Sequence, residues 1–376
     1  MTKVPLVDVA AQEATVAEEV LAALASVARE GRFVLGPRVD AFERWLADAC
    51  GASHAVGVGS GTDAIELSLR ALGVGPGHAV VTPAFSFVAA AEAIAATGAR
   101  PVFCDVDDAT MNATGRTVAD AIDRARREGL RVRAVVPVHL FGLCAPLDEL
   151  TEIARLERLS IVEDSAQAIG AHDDAGRAAG SVGDAGCFSF FPTKNLGGWG
   201  DGGAVVTSNE AVAGRIRRLR AHGAIAPYVH AELGRNSRLD ALQAAVLLAK
   251  ARHLGEWQRA RQRIAERYLR ELAGVPLLLP AVPGSPAVHA WHAFVVRVPR
   301  GRDALRAWLG ERGIETRVYY PIPLHRQECF RGLEGSDLPC AEQLCRTVLA
   351  LPLFATMTDD QQAWVIAQIA EFFAGR

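Results

Sequence analysis

Three short stretches carry side chains that could serve one reaction. In C-F-S-F-F-P-T-K-N-L-G-G-W-G-D-G-G, residues 187–203, Lys194 follows Ser189 by five residues. A lysine amine in a dry pocket loses its proton readily and attacks carbonyl carbon. The chain has only three lysines, Lys3, Lys194 and Lys250, against 37 arginines. In that background a retained lysine is a candidate for amine chemistry, which arginine cannot perform. Lys3 near the terminus and Lys250 late in a helical pattern lack comparable neighbours; an ordinary surface-loop lysine is the competing reading for Lys194. In S-I-V-E-D-S-A-Q-A-I-G, residues 160–170, Asp164 closes an apolar run and Gln167 follows three residues on. A carboxylate there can hold a protonated ring nitrogen, and the amide can donate to a ring oxygen. The same Asp could merely cap the next segment.

The third stretch, Gly59-Ser60-Gly61-Thr62-Asp63-Ala64, joins an apolar run to a helical pattern. Its glycines let backbone approach a ligand, and the helix start offers unpaired N–H groups to an anion, with Thr62 adding a hydroxyl. A capped strand-to-helix turn uses the same residue types. Phe87, in P-A-F-S-F-V-A-A-A, can stack on a flat ring, although a phenylalanine is more often core. A phosphate cradle, a stacking ring, a carboxylate for a pyridinium nitrogen and a nucleophilic amine are together the parts that pyridoxal phosphate requires.

These residues need elements that bring them to one place. Seven apolar runs read as strands: His54–Val58, Ala79–Thr82, Pro101–Cys104, Ala134–His139, Ser160–Glu163, Cys187–Phe190 and Ala204–Thr207. Helical patterns at Ala64–Leu72, Val118–Glu128 and Pro146–Leu159 lie between them. The alternation predicts an α/β layer architecture with a mostly parallel sheet, and such sheets bind ligands beyond the carboxyl ends of their strands. All the residues singled out follow strands in this way. Beyond them, apolar residues at Leu239, Leu242, Val246 and Ala249 predict one helix from Leu239 to about Leu272. A Pro/Gly-rich link, Val275–Pro286, leads to a strand (Trp291–Val298), a helix (Asp303–Arg312), a second strand (Ile314–Tyr319) and two more helices. The chain therefore divides into a large domain, residues 1–250, and a smaller α+β domain, residues 251–376.

Composition excludes other classes. Of 376 residues, 50% are hydrophobic and 22% charged, which is ample for a core, and the net charge of −3 argues against nucleic-acid binding. The longest uncharged run, Val275–Val296, holds four prolines and cannot be a membrane helix, and the first residues lack the apolar segment of a signal peptide. Seven scattered cysteines, none in a C-x-x-C pair, fit free thiols in a reducing, cytoplasmic setting and give no metal site.

The chain resembles the DegT/StrS-type nucleotide-sugar aminotransferases of the aspartate aminotransferase superfamily. The resemblance runs from P-L-V-D-V-A-A-Q and F-V-L-G-P-R-V-D-A-F-E through G-S-G-T-D-A, V-P-V-H-L-F-G, V-E-D-S-A-Q-A-I-G-A and F-S-F-F-P-T-K-N-L-G. It continues through G-D-G-G-A-V-V-T and L-G-R-N-S-R-L-D-A-L-Q-A-A-V to Y-Y-P-I-P-L-H. It implies fold type I and pyridoxal 5′-phosphate. Lys194 would join the cofactor and then shuttle protons, with Asp164 at the ring nitrogen, Gln167 at the phenolic oxygen and Phe87 on the ring face. Ser60, Gly61, Thr62 and Ser189 would hold the phosphate. Asn236 would reach the phosphate of a neighbouring subunit, because relatives are homodimers with shared sites. Arg238, Tyr320 and His325 match positions near the sugar nucleotide, with packing beside Pro321 and Pro323 as the alternative for the last two.

The implied reaction moves an amine from an amino acid, glutamate in most relatives, to a keto group on a dTDP- or UDP-linked hexose. Relatives that dehydrate sugars carry histidine in place of the lysine. The K-N-L-G…G-D-G-G pattern resembles relatives acting on 3-keto sugars; 4-keto-sugar and cyclitol aminotransferases, a general amino-acid aminotransferase, and a cofactor-binding regulator without catalysis are the alternatives. Ala90 and Ala91 stand where relatives carry polar residues, and D-R-A-R-R-E-G-L-R-V-R-A forms a longer approach to its strand.

Overall fold

Strands that are apolar at nearly every position must be covered on both faces. The seven runs do form one sheet: β1 (His54–Val58), β2 (Ala79–Pro83), β3 (Arg100–Cys104), β4 (Val132–Val135), β5 (Ser160–Asp164), β6 (Ala185–Ser189) and β7 (Gly203–Thr207). Their order is β1-β7-β6-β5-β4-β2-β3. Only β7 runs antiparallel to its neighbours, so the sheet is mostly parallel as expected. The computed structural model describes residues 3–282, 284, 289–333 and 337–375, so the link at 275–286 falls partly outside the described residues.

Alternate strand residues serve opposite layers, as the period of two demands. Val56, Val58, Val162 and Val205 pack under α4 (Gly61–Ala71), α5 (Ala89–Ala96) and α8 (Glu210–Leu219). On the other face Phe188, Ala204 and Val206 meet α3 (Pro37–Cys50) and α9 (Ala241–Ala251), while Val135 and Ile161 meet α6 (Gly115–Arg127) and α7 (Leu147–Glu157). Two further helices, α1 (Val9–Ala14) and α2 (Ala17–Glu30), precede α3, and α2 lies along α9. A second core gathers α10 (Leu254–Glu271), α11 (Arg302–Glu311), α13 (Asp359–Ala374) and the paired strands β10 (Phe294–Arg297) and β11 (Val348–Leu351). A small hairpin, β8 (Ala224–Ala226) with β9 (Val229–His230), projects from the large sheet's layer, and α12 (Pro339–Thr347) packs beneath β11. Among the described residues no helix is long and apolar enough to cross a membrane.

Three sequence expectations need correction. The single helix from Leu239 to Leu272 is two helices, because the chain breaks at Arg252–His253 so that α9 packs on α2 and α3 while α10 enters the second core. The strand expected at Ile314–Tyr319 does not form. Its backbone makes one bridge with Val4 and one with Ala350, and two single bridges to different partners make no ladder. The partner of β10 is instead β11, a run not anticipated. The fourth strand ends at Val135 because Pro137 has no N–H to give; the chain nonetheless runs on beside β5, with His139 N–H on the Asp164 carbonyl at 3.0 Å.

Candidate active site

The carboxyl ends of β5 and β6 and the turn after β1 converge on one site. Asp164 is the last residue of β5 and Ser189 the last of β6. Backbone bonds hold Asp164 from both directions: its N–H donates to Pro137 at 2.8 Å and its carbonyl accepts from His139. Its side chain is 6% exposed. One carboxylate oxygen accepts the Ala166 N–H at 3.1 Å, and the other makes no hydrogen bond among the described residues. Burial raises its pKa, opposed by the Ala166 N–H and by the positive charge of Lys194. A buried carboxylate with one free oxygen is a group built for a cation.

Lys194 supplies the facing amine. Its backbone N–H closes a tight turn on Phe191 at 2.8 Å, and its side chain is half-buried. Burial pushes that amine down to about 8, with Asp164 opposing. A free lysine stays protonated until about pH 10.4. The cofactor-free protein is therefore expected to react with pyridoxal phosphate at a rate that rises through about pH 8 and levels off above it. Stopped-flow uptake across pH 6–10 checks this; a midpoint near the ordinary lysine value would mean the amine is not desolvated. The same lowered pKa means that the cofactor-free fold binds fewer protons than the unfolded chain between these values, so its stability rises with pH across that window.

The turn after β1 positions the third part. Ser60 caps α4, its Oγ accepting the Asp63 N–H at 3.1 Å. The capped-turn role thus falls to Ser60, and the Thr62 hydroxyl is left without a partner among the described residues. Gly61 is packed so closely on β6 that a Cβ there would sit 2.7 Å from the Ser189 Cβ. Ser189 Oγ accepts only a long bond, 3.4 Å, from Phe191 N–H. The N-terminal N–H groups of α4, the Thr62 and Ser189 hydroxyls and the bare Gly61 form a cradle of donors suited to a phosphate. Gly61→Ala is expected to raise the dissociation constant of the cofactor on the order of 10-fold while the protein remains folded, read by fluorescence titration alongside circular dichroism.

The remaining parts fit a flat ring. Phe87 is 56% exposed although Phe85, two residues earlier, is 1% exposed. The core reading of Phe87 is therefore wrong; its ring stands in the open beside Tyr320, centroids 6.3 Å apart. Gln167 is fixed in orientation, since its Oε1 accepts the Phe141 N–H at 2.7 Å and its amide donates to the Tyr320 hydroxyl at 3.2 Å. One amide hydrogen remains free to meet a ring oxygen. The carboxylate with one free oxygen, the exposed ring, the donor cradle and the half-buried amine make a set that pyridoxal phosphate fits.

Asn236, Arg238 and His325 are the other expected residues. Asn236 is exposed, and its backbone bridges Ala221. Arg238 is half-exposed. His325 is 2% exposed and its Nε2 lies 3.2 Å from Glu342 Oε1, so it is engaged with Glu342 and not with the groups above.

The structure also adds residues that sequence reading passed over. Glu163 is wholly buried behind Asp164. It accepts N–H bonds from Gly180, Val182 and Gly183 at 2.8, 2.8 and 2.6 Å. His139 Nε2 adds a fourth at 2.8 Å, donating because Nδ1 already accepts the Ala145 N–H. Burial works against the carboxylate's charge, but His139 and these N–H groups prevail and hold its pKa down. Ser237 Oγ accepts the Gly59 N–H at 3.0 Å and donates to Asp63 at 2.8 Å, which ties residues 236–238 to the cradle. Both lay inside quoted motifs, V-E-D-S-A-Q and G-R-N-S-R, but only their contacts give them a task.

A profile of the DegT/DnrJ/EryC1/StrS aminotransferase family matches residues 14–370. The "pleiotropic regulatory protein" of Geobacillus stearothermophilus is 41% identical, with 98% of each chain covered. The UDP-N-acetyl-3-dehydro-alpha-D-glucosamine 3-aminotransferase of Acidithiobacillus ferrooxidans is also 41% identical, over 100% of this chain and 99% of that one. The dTDP-3-amino-3,4,6-trideoxy-alpha-D-glucose transaminase of Streptomyces venezuelae is 42% identical over 98% and 96%. Among solved structures, a DegT DnrJ EryC1 StrS aminotransferase from Brucella abortus superposes with a TM-score of 0.94 at 38% identity, over 98% of this chain and 99% of that one. NtdA from Bacillus subtilis, solved with bound cofactor PMP, gives 0.88 at 30% identity over 95% and 82%.

Proposed function

The chain belongs to the DegT/DnrJ/EryC1/StrS aminotransferase family, whose cofactor is pyridoxal phosphate, and from that premise we propose that it aminates the 3-keto group of a dTDP- or UDP-linked hexose with an amino acid, L-glutamate, as donor. The observation that carries the chemistry is a Lys194 amine that burial disfavours as a cation, coupled to the charge of a buried carboxylate with one free oxygen. The substrate class is supported by two relatives, 41% and 42% identical nearly end to end, whose names specify amino transfer at sugar carbon 3.

In this reading the donor's α-carbon is oxidised from amine to ketone and the sugar's keto carbon is reduced to amine, so no external redox partner is needed. When bound, pyridoxal phosphate supplies the carbon that carries the amine between substrates and a ring that draws electrons from the reacting carbon. Lys194 would hold the cofactor, and its amine would carry the proton taken from the carbon that gives up the amine to the one that receives it. Asp164 would keep the ring nitrogen protonated; its position is fixed by β5 before any charge develops, so no reorganisation would be needed at the moment of reaction. Glu163, through its N–H bonds, keeps β5 in that place. Gly61, Thr62 and Ser189 would bind the phosphate, Phe87 would cover the ring, and Gln167 would donate to its oxygen. Arg238 and Tyr320 would face the sugar nucleotide.

The same reading makes the protein a homodimer with shared sites. Tyr228 and Leu233 are 97% and 88% exposed, large apolar groups that a second copy would cover, and exposed Asn236 follows Leu233 by three residues. It also divides the chain near residue 250 and places it in the cytoplasm; all seven cysteines are free. A purely regulatory role, such as the name of the G. stearothermophilus relative implies for that protein, would have no use for an amine set beside a carboxylate.

The test is to convert the enzyme to its pyridoxamine form and mix it with matched 3-keto and 4-keto nucleotide hexoses. Return of the lysine-bound cofactor's visible band with the 3-keto compound alone is the expected result. Recovery with the 4-keto compound alone would overturn the regiochemistry, and recovery with neither would overturn the substrate class.

A further inference from the structure

An amino acid donor must be recognised by its charges, and a dicarboxylic donor presents a carboxylate far from its amine. A cavity of about 190 Å³ is lined by Thr193, the residue before Lys194, by His292, which feels the Lys194 charge, and by Tyr319 and Arg317. That is below the roughly 300–1,000 Å³ of a whole small-molecule site, so it suits one arm of a small acid rather than a nucleotide sugar.

The groups around it favour an anion. The Arg317 guanidinium is exposed and makes no ion pair or hydrogen bond among the described residues. Arg261 is 2% exposed and has no carboxylate partner either. One of its nitrogens donates to the Trp291 and Leu353 carbonyls at 3.2 and 3.3 Å, and Leu353 lines the same cavity. A buried guanidinium with no counter-ion leaves the space beside it at positive potential. His292 does not cancel this. Its Nδ1 lies 3.3 Å from Asn195 Oδ1, whose orientation is fixed because the Asn195 amide donates to Ala290 at 2.8 Å. Nδ1 therefore carries the proton and Nε2 is a neutral acceptor, which burial and the charges of Lys194 and Arg261 keep unprotonated. Glu315, at the rim, is the opposing charge; it accepts the Leu6 N–H at 3.4 Å and forms no ion pair with Arg317.

Resting on the reading of the site as an aminotransferase centre, we propose that this cavity is the subsite for the distal carboxylate of the amino donor, with Arg317 as its counter-ion. A donor whose amine meets the cofactor at the Lys194 end then places its side-chain carboxylate at the Arg317 end. The subsite makes dicarboxylic amino acids preferred donors and does not touch the sugar nucleotide.

The test uses holoenzyme carrying Arg317→Ala or Arg317→Lys. Maleate, a dicarboxylate that cannot donate an amine, reports binding by calorimetry independently of turnover. Arg317→Ala is expected to weaken maleate and to raise KM for L-glutamate on the order of 10–100-fold with kcat little changed, and Arg317→Lys to recover part of the loss. Donation from L-alanine should lose far less. Equal losses for alanine and glutamate, or unchanged maleate binding, would overturn the proposal. Failure of the wild-type enzyme to aminate any keto sugar would overturn the substrate reading instead, while the maleate comparison would still decide the subsite.

Discussion

Lys194→Ala is expected to lower turnover on the order of 10⁴-fold and to abolish the visible band of lysine-bound cofactor, while the fold is retained. The size follows from what the amine does. A positioned acid–base group contributes about 10²–10⁴-fold, and here the same group also fastens the cofactor. The fold should survive because the side chain makes no hydrogen bond or ion pair among the described residues, Leu196 and Phe190 beside it are essentially buried, and the turn is closed by backbone. Removing an ammonium that burial disfavours also relieves a cost. Turnover assays with glutamate and keto sugar, with visible spectra of the same preparation, check both halves. A variant that keeps the band would place the covalent link on another amine, and Lys250 is a poor alternative because it is ion-paired with Glu13.

Asp164→Asn should lower kcat by about 10²–10³-fold, the range seen when one preorganised electrostatic contact to developing charge is removed. Cofactor should still bind, since the cradle at Gly61, Thr62 and Ser189 is untouched. The fold should also persist. The one hydrogen bond the side chain makes, from the Ala166 N–H, can be accepted equally by an asparagine oxygen. Loss of the charge costs the apoprotein little, because burial already raises that carboxyl's pKa. A thermal midpoint within about 3 °C of wild type is therefore expected. Unchanged turnover in this variant would mean that the ring nitrogen needs no carboxylate. Collapse of the fold would mean instead that the charge is tied into the core network of Glu163 and His139.

Much of this was legible in the linear chain because it follows from local physics. Apolar runs of five residues separated by helical periods can hardly be anything but a covered parallel sheet, and all seven runs became strands of one sheet. The chemistry was legible where a residue type is hard to replace: a lysine kept among arginines, a glycine at a crowded turn, an acid closing an apolar strand. What the sequence could not carry were facts about distance. One helix became two at Arg252–His253 because two separate cores compete for its faces, and Gly255 just beyond the break does not by itself distinguish a broken helix from a continuous one. Val348–Leu351 and not Ile314–Tyr319 became the partner of β10, since pairing is settled by which backbone lies alongside. Phe87 was core by residue type and exposed by position. The closed bonding of Glu163, the fixed tautomer of His292 and the unpaired Arg261 and Arg317 exist only once residues far apart in the chain share one dry volume. There desolvation, not residue identity, decides which charges need a partner.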